Sequence, residues 1–417
     1  MNKVRPRVVI IGGGFGGLYA AKALAQVPVD VVLVDRKNHH VFQPLLYQVA
    51  TAALSPGDIA SPIRGILRRH KNIQVLLGEV VGFDLEHRRV KLKETELEYD
   101  YLMVAAGAQH SYFGHNEWAR LAPGLKTIED ALEIRRRVLL AFELAESEAA
   151  RGEQPLPLNF VVVGGGPTGV ELAGALKEIA VQTLAKEFKR IEPARARVIL
   201  LEGTARILPT FPEDLSRSAE EQLRDLGVEV RTSTMVTAVE PGRVRVGETE
   251  IPAAVTLWAA GVAASGLGRM LSADTDRAGR VPVAPDLSLP GHPEVFVIGD
   301  LALARDEIGK PLPGLAPVAI QEGRAAAENI TRELRRQPRR PFHYKNRGVL
   351  ATIGRAAAVA DFGRIHLSGF IAWLAWLFIH ILMLIGFRNR LSVMLQWTWA
   401  YVVAQRGPRL ITEPSCE

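Results

Sequence analysis

Short apolar runs alternate with longer stretches of helical periodicity along the first half of the chain. Val8–Ile11 is a brief apolar run, Gly16–Gln26 places apolar residues at helical spacing, and Val29–Val34 is rich in β-branched residues. A strand buried on both faces, a helix and a second such strand make a parallel βαβ unit. The pattern returns at Phe160–Val163, Thr168–Lys189 and Val198–Leu201. Two βαβ units so far apart predict two doubly wound domains. Gly152–Pro157 and Val281–Pro293 punctuate the blocks.

The pattern changes near the C-terminus. Arg332–Arg347 is strongly basic, Ile365–Phe387 is almost entirely apolar, and Leu391–Val403 carries Trp397, Trp399 and Tyr401. Leu367–Phe387 approaches the roughly 20 apolar residues that span a bilayer. His380 interrupts it, and Trp373 and Trp376 sit near its middle, whereas membrane aromatics favour the ends. The second stretch is too short to span and is flanked by Arg388, Arg390, Arg406 and Arg409. Two helices lying in the headgroup plane are expected. A true span, or burial in a core or dimer interface, is the alternative.

Composition narrows the classes. The chain has 417 residues, 48% apolar and 23% charged, with a formal net charge of +6. That length suits two or three globular domains. The basic balance admits nucleic acid or anionic lipid as partners. No nucleic-acid recognition motif accompanies the basic residues, so no nucleic acid is expected. The single cysteine, Cys416, excludes an intrachain disulfide, a cysteine metal cage or a redox-active pair, and we expect it to have no role. No metal site is expected. The run at Val8 is too short for the apolar core of a secretion signal and reads as a first strand.

Two glycine-rich turns carry the chemistry. Gly12-Gly13-Gly14-Phe15-Gly16-Gly17 follows the first strand and opens the first helix. Gly12 permits a tight turn, Gly14 lets a pyrophosphate approach the backbone, and Gly17 lets helix and strand pack closely. The helix N-terminus offers free N–H groups to phosphate. Asp35 ends the next strand, where a carboxylate accepts hydrogen bonds from a ribose. Gly164-Gly165-Gly166-Pro167-Thr168-Gly169 repeats these mechanics, with Glu202 as its acid. Gly164 and Glu202 are 38 residues apart, longer than the usual spacing of about 20; a long helix and the Ile191–Ala196 loop absorb the difference. A carboxylate there repels a 2′-phosphate and favours NADH over NADPH, although nearby Arg206 softens that preference. Val295–Ile298 leads into Gly299-Asp300, and small-residue strand ends occur at Val104–Ala108 and Trp258–Val262.

With these residues together, the chain resembles the type II NADH dehydrogenases, the single-subunit NADH:quinone oxidoreductases. The resemblance runs through GGGFGGL at 12–18, FQPLLYQVATAALSPGDIASPIR at 42–64, GGGPTGVELAG at 164–174, LWAAGV at 257–262, VIGD at 297–300 and the tail from Gly348 to Ile411. It implies an α/β fold with two Rossmann-like dinucleotide-binding domains of the glutathione-reductase type and a C-terminal membrane-associated helical segment. The implied domains are an FAD-binding domain in two parts (1–115 and 286–341), an inserted NADH-binding domain (116–285) and a membrane-anchoring domain (342–417). Hydride would pass from nicotinamide C4 to flavin N5, and two electrons would then pass to a membrane quinone, menaquinone or ubiquinone, without proton pumping. The enzyme would sit peripherally on the cytoplasmic face of the cell membrane, and a homodimer is compatible with the pattern.

By resemblance, Gly12, Gly14, Phe15, Gly16, Gly17, Asp35, Arg36, Val81, Gly107, Asp300 and Ala319 would hold FAD. Gly164, Gly166, Pro167, Thr168, Gly169, Glu202 and Gly261 would hold NADH. Glu171 would contact nicotinamide or deliver a proton to reduced quinone; otherwise it is a first-turn carboxylate facing a helix dipole. The quinone candidates are Ala316, Pro317 and Gln321, with Gln321 also a catalytic candidate. Here the chain departs from the family's A-Q-x-A-x-Q, because Pro317 replaces the first glutamine. Two rival functions share the nucleotide folds: a soluble NADH-dependent flavin reductase serving a protein electron carrier, and a non-catalytic membrane-associated redox sensor. A sulfide:quinone oxidoreductase would need cysteines that this chain lacks.

Overall fold

The computed structural model describes residues 5–271, 274–403, 407 and 409–411. Cys416 and Arg406 lie outside the described residues, as do the side chains of 400–403. The chain forms two compact units: unit 1 comprises 1–41, 60–109 and 262–347, and unit 2 comprises 42–59, 110–261 and 348–417. The strands that frame the site are β1 (Arg7–Ile11), β2 (Asp30–Asp35), β3 (Ile73–Leu77), β4 (Tyr101–Val104), β5 (Asn159–Val163), β6 (Arg197–Leu201), β7 (Val228–Arg231), β8 (Val255–Trp258), β9 (Ser288–Leu289), β10 (His292–Val297) and β11 (Val349–Gly354). Among the helices, those used below are α1 (Phe15–Ala23), α2 (Pro167–Glu178), α3 (Ala316–Leu334), α4 (Gly369–Met383) and α5 (Phe387–Val403).

Unit 1 is built on a six-stranded sheet of order β9-β10-β4-β1-β2-β3. All neighbours are parallel except the β9–β10 edge. β1 is buried beyond its first residue, as its run of Val and Ile requires of a strand covered on both faces. The expected helix over Gly16–Gln26 is shorter, ending at Ala23. The Asn72 side-chain amide donates to the carbonyls of Leu24, Val27 and Val29, so the turn after the helix needs no further helical bonds.

Unit 2 is built on a four-stranded parallel sheet of order β7-β6-β5-β8. The helix expected over Thr168–Lys189 is regular only to Glu178. It then widens into a π turn over Ile179–Thr183 and tightens into a 3₁₀ turn over Leu184–Lys186. Ile179, Val181 and Thr183 are β-branched and crowd an α-helical turn. These turns and the loop beyond them account for the long interval before Glu202. Unit 2 also takes in 42–59, where the Arg135 guanidinium donates to the carbonyls of Val49 and Leu54.

The apolar stretch 367–387 is not one helix. Gly369 and Gly386, both at positive φ, bracket α4 and its exit turn. α4 has 15 residues and is therefore about 22 Å long, against roughly 30 Å of hydrocarbon. No helix among the described residues is long and apolar enough to cross a membrane. Ala372 and Trp376 on α4 and Asn389 and Val393 on α5 face inward. Phe370, Ile371, Leu374, Phe378 and Leu382 on α4, and Phe387, Leu391, Met394, Leu395 and Trp399 on α5, are exposed.

Candidate nucleotide and quinone sites

The two glycine loops repeat one geometry, each within its own unit. In unit 1, Gly12 has φ +99°, and a Cβ there would lie 2.4 Å from the Ala105 carbonyl oxygen. In unit 2, Gly164 has φ +108°, and its Cβ would lie 2.5 Å from the backbone of Ala259 and Ala260. Only glycine meets both demands. A Cβ on Gly17 would stand 1.9 Å from the Gly12 oxygen, and one on Gly169 would stand 1.8 Å from the Gly164 oxygen, so each helix presses onto its own turn.

Gly14 and Gly166 differ from these. A Cβ at either position would meet nothing within 4 Å. Neither protein packing nor positive φ demands glycine there, so what the missing side chain leaves open is room for a ligand at the helix N-terminus. The residues present therefore fit a dinucleotide pyrophosphate at each loop. Pro167 opens α2 in its first turn, where its lack of an N–H is tolerated, and Thr168 beside it is exposed.

The acids complete the likeness. Asp35 accepts hydrogen bonds from the N–H groups of Gly13 (2.6 Å) and Lys37 (2.7 Å). Glu202 accepts from Gly165 (2.6 Å) and Thr204 (2.6 Å). In both loops the middle glycine is thus tied to the acid at the end of the second strand. Arg206 donates to the carbonyls of Phe211 (2.9 Å) and Pro209 (3.0 Å). Its guanidinium is thus tied to the backbone of the turn that follows it.

Elsewhere in unit 1, the Gly299 N–H donates to the Glu322 carboxylate at 2.5 Å, which fixes the turn carrying Asp300 after β10. Glu322 is buried, and burial pushes it up to about 8; the Gly299 N–H opposes the rise and neighbouring Asp300 adds to it. Ala319 packs against this turn: a Cβ on Gly299 would lie 3.5 Å from the Ala319 Cβ, and one on Gly16 would lie 3.4 Å from its oxygen. The helix N-termini of α1 and α3 are thereby brought together with Asp300. Gly107, at φ +65°, follows the strand end that covers Gly12. Arg36 is exposed directly after Asp35. Val81 lies in a separate three-stranded antiparallel sheet and is 48% exposed.

The quinone candidates occupy the start of α3. Pro317 stands in its first turn, where a backbone N–H has no intrahelical partner to lose. Its cost is therefore confined to the missing side-chain amide. Gln321 uses both ends of its amide on Lys345, donating to the carbonyl and accepting from the N–H at 3.0 Å each. It clips the basic stretch to α3.

In unit 2, one face of α2 meets β11. A Cβ on Gly174 would fall 1.7 Å from the Ile353 oxygen, so helix and strand touch through bare backbone. Glu171 accepts from the Thr352 N–H on one side, and Glu178 accepts from the Arg355 N–H on the other. Glu171 keeps some accessible surface, but its carboxyl is densely enclosed. That burial pushes it up to about 8 despite the Thr352 bond. Gly261 lies under Phe113, with 2.6 Å between its would-be Cβ and the ring.

The same unit orders α4 and α5 through aromatic contacts. His380 donates from Nδ1 to the Trp376 carbonyl (2.7 Å) and stacks on the Trp376 ring at 4.4 Å. Burial holds it down at about 4, so it is neutral within its apolar helix. The Trp397 indole donates to Gln48 at 2.7 Å, which joins α5 to the 42–59 segment.

Residues 6–323 match the pyridine nucleotide-disulphide oxidoreductase family, and residues 346–404 match the NDH2 C-terminal domain. The chain is 48% identical, over 98% of its length and 90% of the relative, to the type II NADH:quinone oxidoreductase NdhA of Mycobacterium tuberculosis. It is 46% identical, over 98% and 91%, to Ndh of the same organism. The chain belongs to the type II NADH:quinone oxidoreductases. The structure of NDH2 from Plasmodium falciparum in complex with NADH shares the fold, with TM-score 0.87 at 21% identity, covering 97% of this chain and all of that one. The matched C-terminal domain removes the soluble reductase from consideration. With one cysteine, this member has no intrachain pair for disulphide chemistry.

Sequence reasoning missed Glu322, Glu178 and Gly174. A signal existed for Glu322: it falls on the buried stripe of α3 with Val318, Ala319 and Ala326, where an acid is out of place.

Proposed function

We propose that this enzyme binds FAD at the Gly12 loop and NADH at the Gly164 loop, and reduces a quinone drawn from the membrane. The observation that carries this reading is the duplicated loop geometry: an open third glycine and an acid-tethered second glycine, once in each unit. FAD, when bound, accepts two electrons from NADH and passes them to quinone. The protein supplies position and charge.

On the flavin side, Gly14, Phe15, Gly16 and Gly17 present backbone N–H groups, Asp35 and Arg36 take the adenosine ribose and its surroundings, and Gly107, Asp300 and Ala319 hold the remainder. Val81 is retained only as a peripheral contact. On the nicotinamide side, Gly166, Pro167, Thr168 and Gly169 receive the pyrophosphate, Glu202 takes the ribose, and Gly261 keeps the strand end low. Glu171, protonated at neutral pH, holds a proton ready for the product quinol. Ala316 and Pro317 border the quinone, and Gln321 acts through its clip on Lys345. The four-part division by cofactor, with FAD on 1–115 and 286–341, NADH on 116–285 and the membrane on 342–417, accompanies this reading.

The exposed apolar faces of α4 and α5, with exposed Arg388 and Arg390 beside them, are the membrane-docking surface. We place the enzyme on the cytoplasmic face, where NADH is made, and leave menaquinone and ubiquinone as competing acceptors and a homodimer as a testable assembly. The test is a flavin spectrum of the purified protein followed by NADH oxidation with menaquinone and ubiquinone analogues. Flavin bleaching with sustained turnover is expected. Bleaching without turnover would leave the sensor reading and overturn this one.

A further inference from the structure

Beyond Glu202, the chain builds a feature that the phosphate loop does not explain. The segments leaving the C-terminal ends of β6 and β7 remain tied together. Glu202 N–H donates to Arg231 O (2.9 Å), Thr234 N–H to Glu202 O (2.8 Å) and Ser233 N–H to Thr204 O (2.7 Å). These bonds make a firm ledge from 202–204 and 231–234, at the sheet edge where open α/β folds hold ligands. Gly203 is the bare point on that ledge. The Met235 thioether lies over it: a Cβ on Gly203 would be 2.8 Å from Met235 Cε and 3.4 Å from Sδ.

Met235 is nevertheless 66% exposed. A large apolar side chain therefore lies folded back on a glycine, open to solvent on its outer side and next to the ribose carboxylate. A methionine thioether is polarizable and adaptable, and it makes favourable contacts with aromatic rings. Arg206 spends donors on the carbonyls of Phe211 and Pro209 rather than on the pad.

We infer that Met235, seated on Gly203, is the platform on which the adenine ring of NADH stacks. The inference rests on placing NADH at the Gly164 loop. It adds a ring-recognition site beyond the pyrophosphate and ribose sites, and assigns it to the purine end of the substrate. Gly203 is kept bare so that the thioether lies low enough for a ring to settle above it.

The test uses the FAD-loaded full chain and two probes: ADP-ribose, which carries the adenine, and reduced nicotinamide mononucleotide, which does not. Calorimetry with ADP-ribose needs no turnover. Met235→Ala is expected to weaken ADP-ribose about five- to tenfold and to raise KM for NADH similarly, with kcat unchanged. Kinetics with the mononucleotide should not change. Met235→Leu should restore most of the affinity, and Gly203→Ala, whose new Cβ displaces the thioether, should weaken ADP-ribose as well. Glu202→Gln separates the two readings. If it weakens ADP-ribose while Met235→Ala stays within twofold of the parent, the platform is refuted and the NADH site stands. If neither variant changes binding, both readings fall. An equal loss with the mononucleotide would mark a general structural effect and also refute the platform.

Discussion

Replacing Glu171 with glutamine isolates a carboxyl that the fold keeps protonated. Burial pushes Glu171 from 4.5 up to about 8, with the Thr352 N–H pulling the other way. In the unfolded chain this group loses its proton above about 4.5, whereas in the native chain it keeps the proton until about 8. Between those values the native state binds more protons. The stability linked to Glu171 is therefore fully present below about 4.5 and is lost progressively as pH rises through 8. The slope is about 1.4 kcal/mol per pH unit, and the partial accessibility of the residue trims the loss at pH 7 to about 2 kcal/mol. Glutamine keeps a carbonyl for the Thr352 N–H and cannot ionise. Urea unfolding of the FAD-loaded variant between pH 5 and 8 should show a shallower fall than the parent, with equal or greater stability at pH 7. Some slope will remain, because Glu322 is also raised to about 8. Turnover supplies a second readout. Quinone reduction consumes protons, but ferricyanide accepts only electrons. The variant should lose about a hundredfold in kcat with quinone and less than about twofold with ferricyanide. Parallel stability profiles would refute the protonated state, and an equal loss with both acceptors would refute the proton-delivery role.

Gly12→Ala places a Cβ 2.4 Å from the Ala105 oxygen at φ +99°, so the protein should purify without flavin, as its visible absorption spectrum would show. Glu202→Ala should raise KM for NADH about tenfold without making NADPH the better substrate, because Arg206 is bound to backbone; a gain in kcat/KM for NADPH over NADH would contradict this. Changing Ile371, Leu374 and Phe378 together to Glu should abolish co-sedimentation with vesicles while ferricyanide reduction persists. Gly174→Ala would set a Cβ 1.7 Å from the Ile353 oxygen and force α2 and β11 apart, and should destabilise the chain by about 3 kcal/mol in denaturant unfolding.

Much of the fold and half of the site were legible because they are local. Apolar periodicity marks β1, α1 and β2 and their counterparts in unit 2, since strands buried on both faces have no other composition open to them. The glycine loops and their acids are legible for the same reason: a positive φ, a close approach and a strand-end carboxylate are each demanded by one short segment. What the chain could not announce depends on distant segments meeting. The raised proton affinities of Glu171 and Glu322 come from burial that only packing supplies, against Thr352 in one case and Gly299 in the other. Arg206 reads from the sequence as a neighbour that softens the NADH preference, and only the fold shows the turn at Pro209–Phe211 taking two of its donor bonds. The apolar stretch 367–387 has the length of a span, but two positive-φ glycines and an inward face centred on Trp376 divide it into a short helix with one side packed and one side bare. Residue pattern alone marked the two glycine loops and the acid that each one meets. Tertiary contact decided which carboxyl is buried, which guanidinium is tied to backbone and which apolar face stays exposed, because burial and hydrogen bonding are set by neighbours in space rather than in sequence.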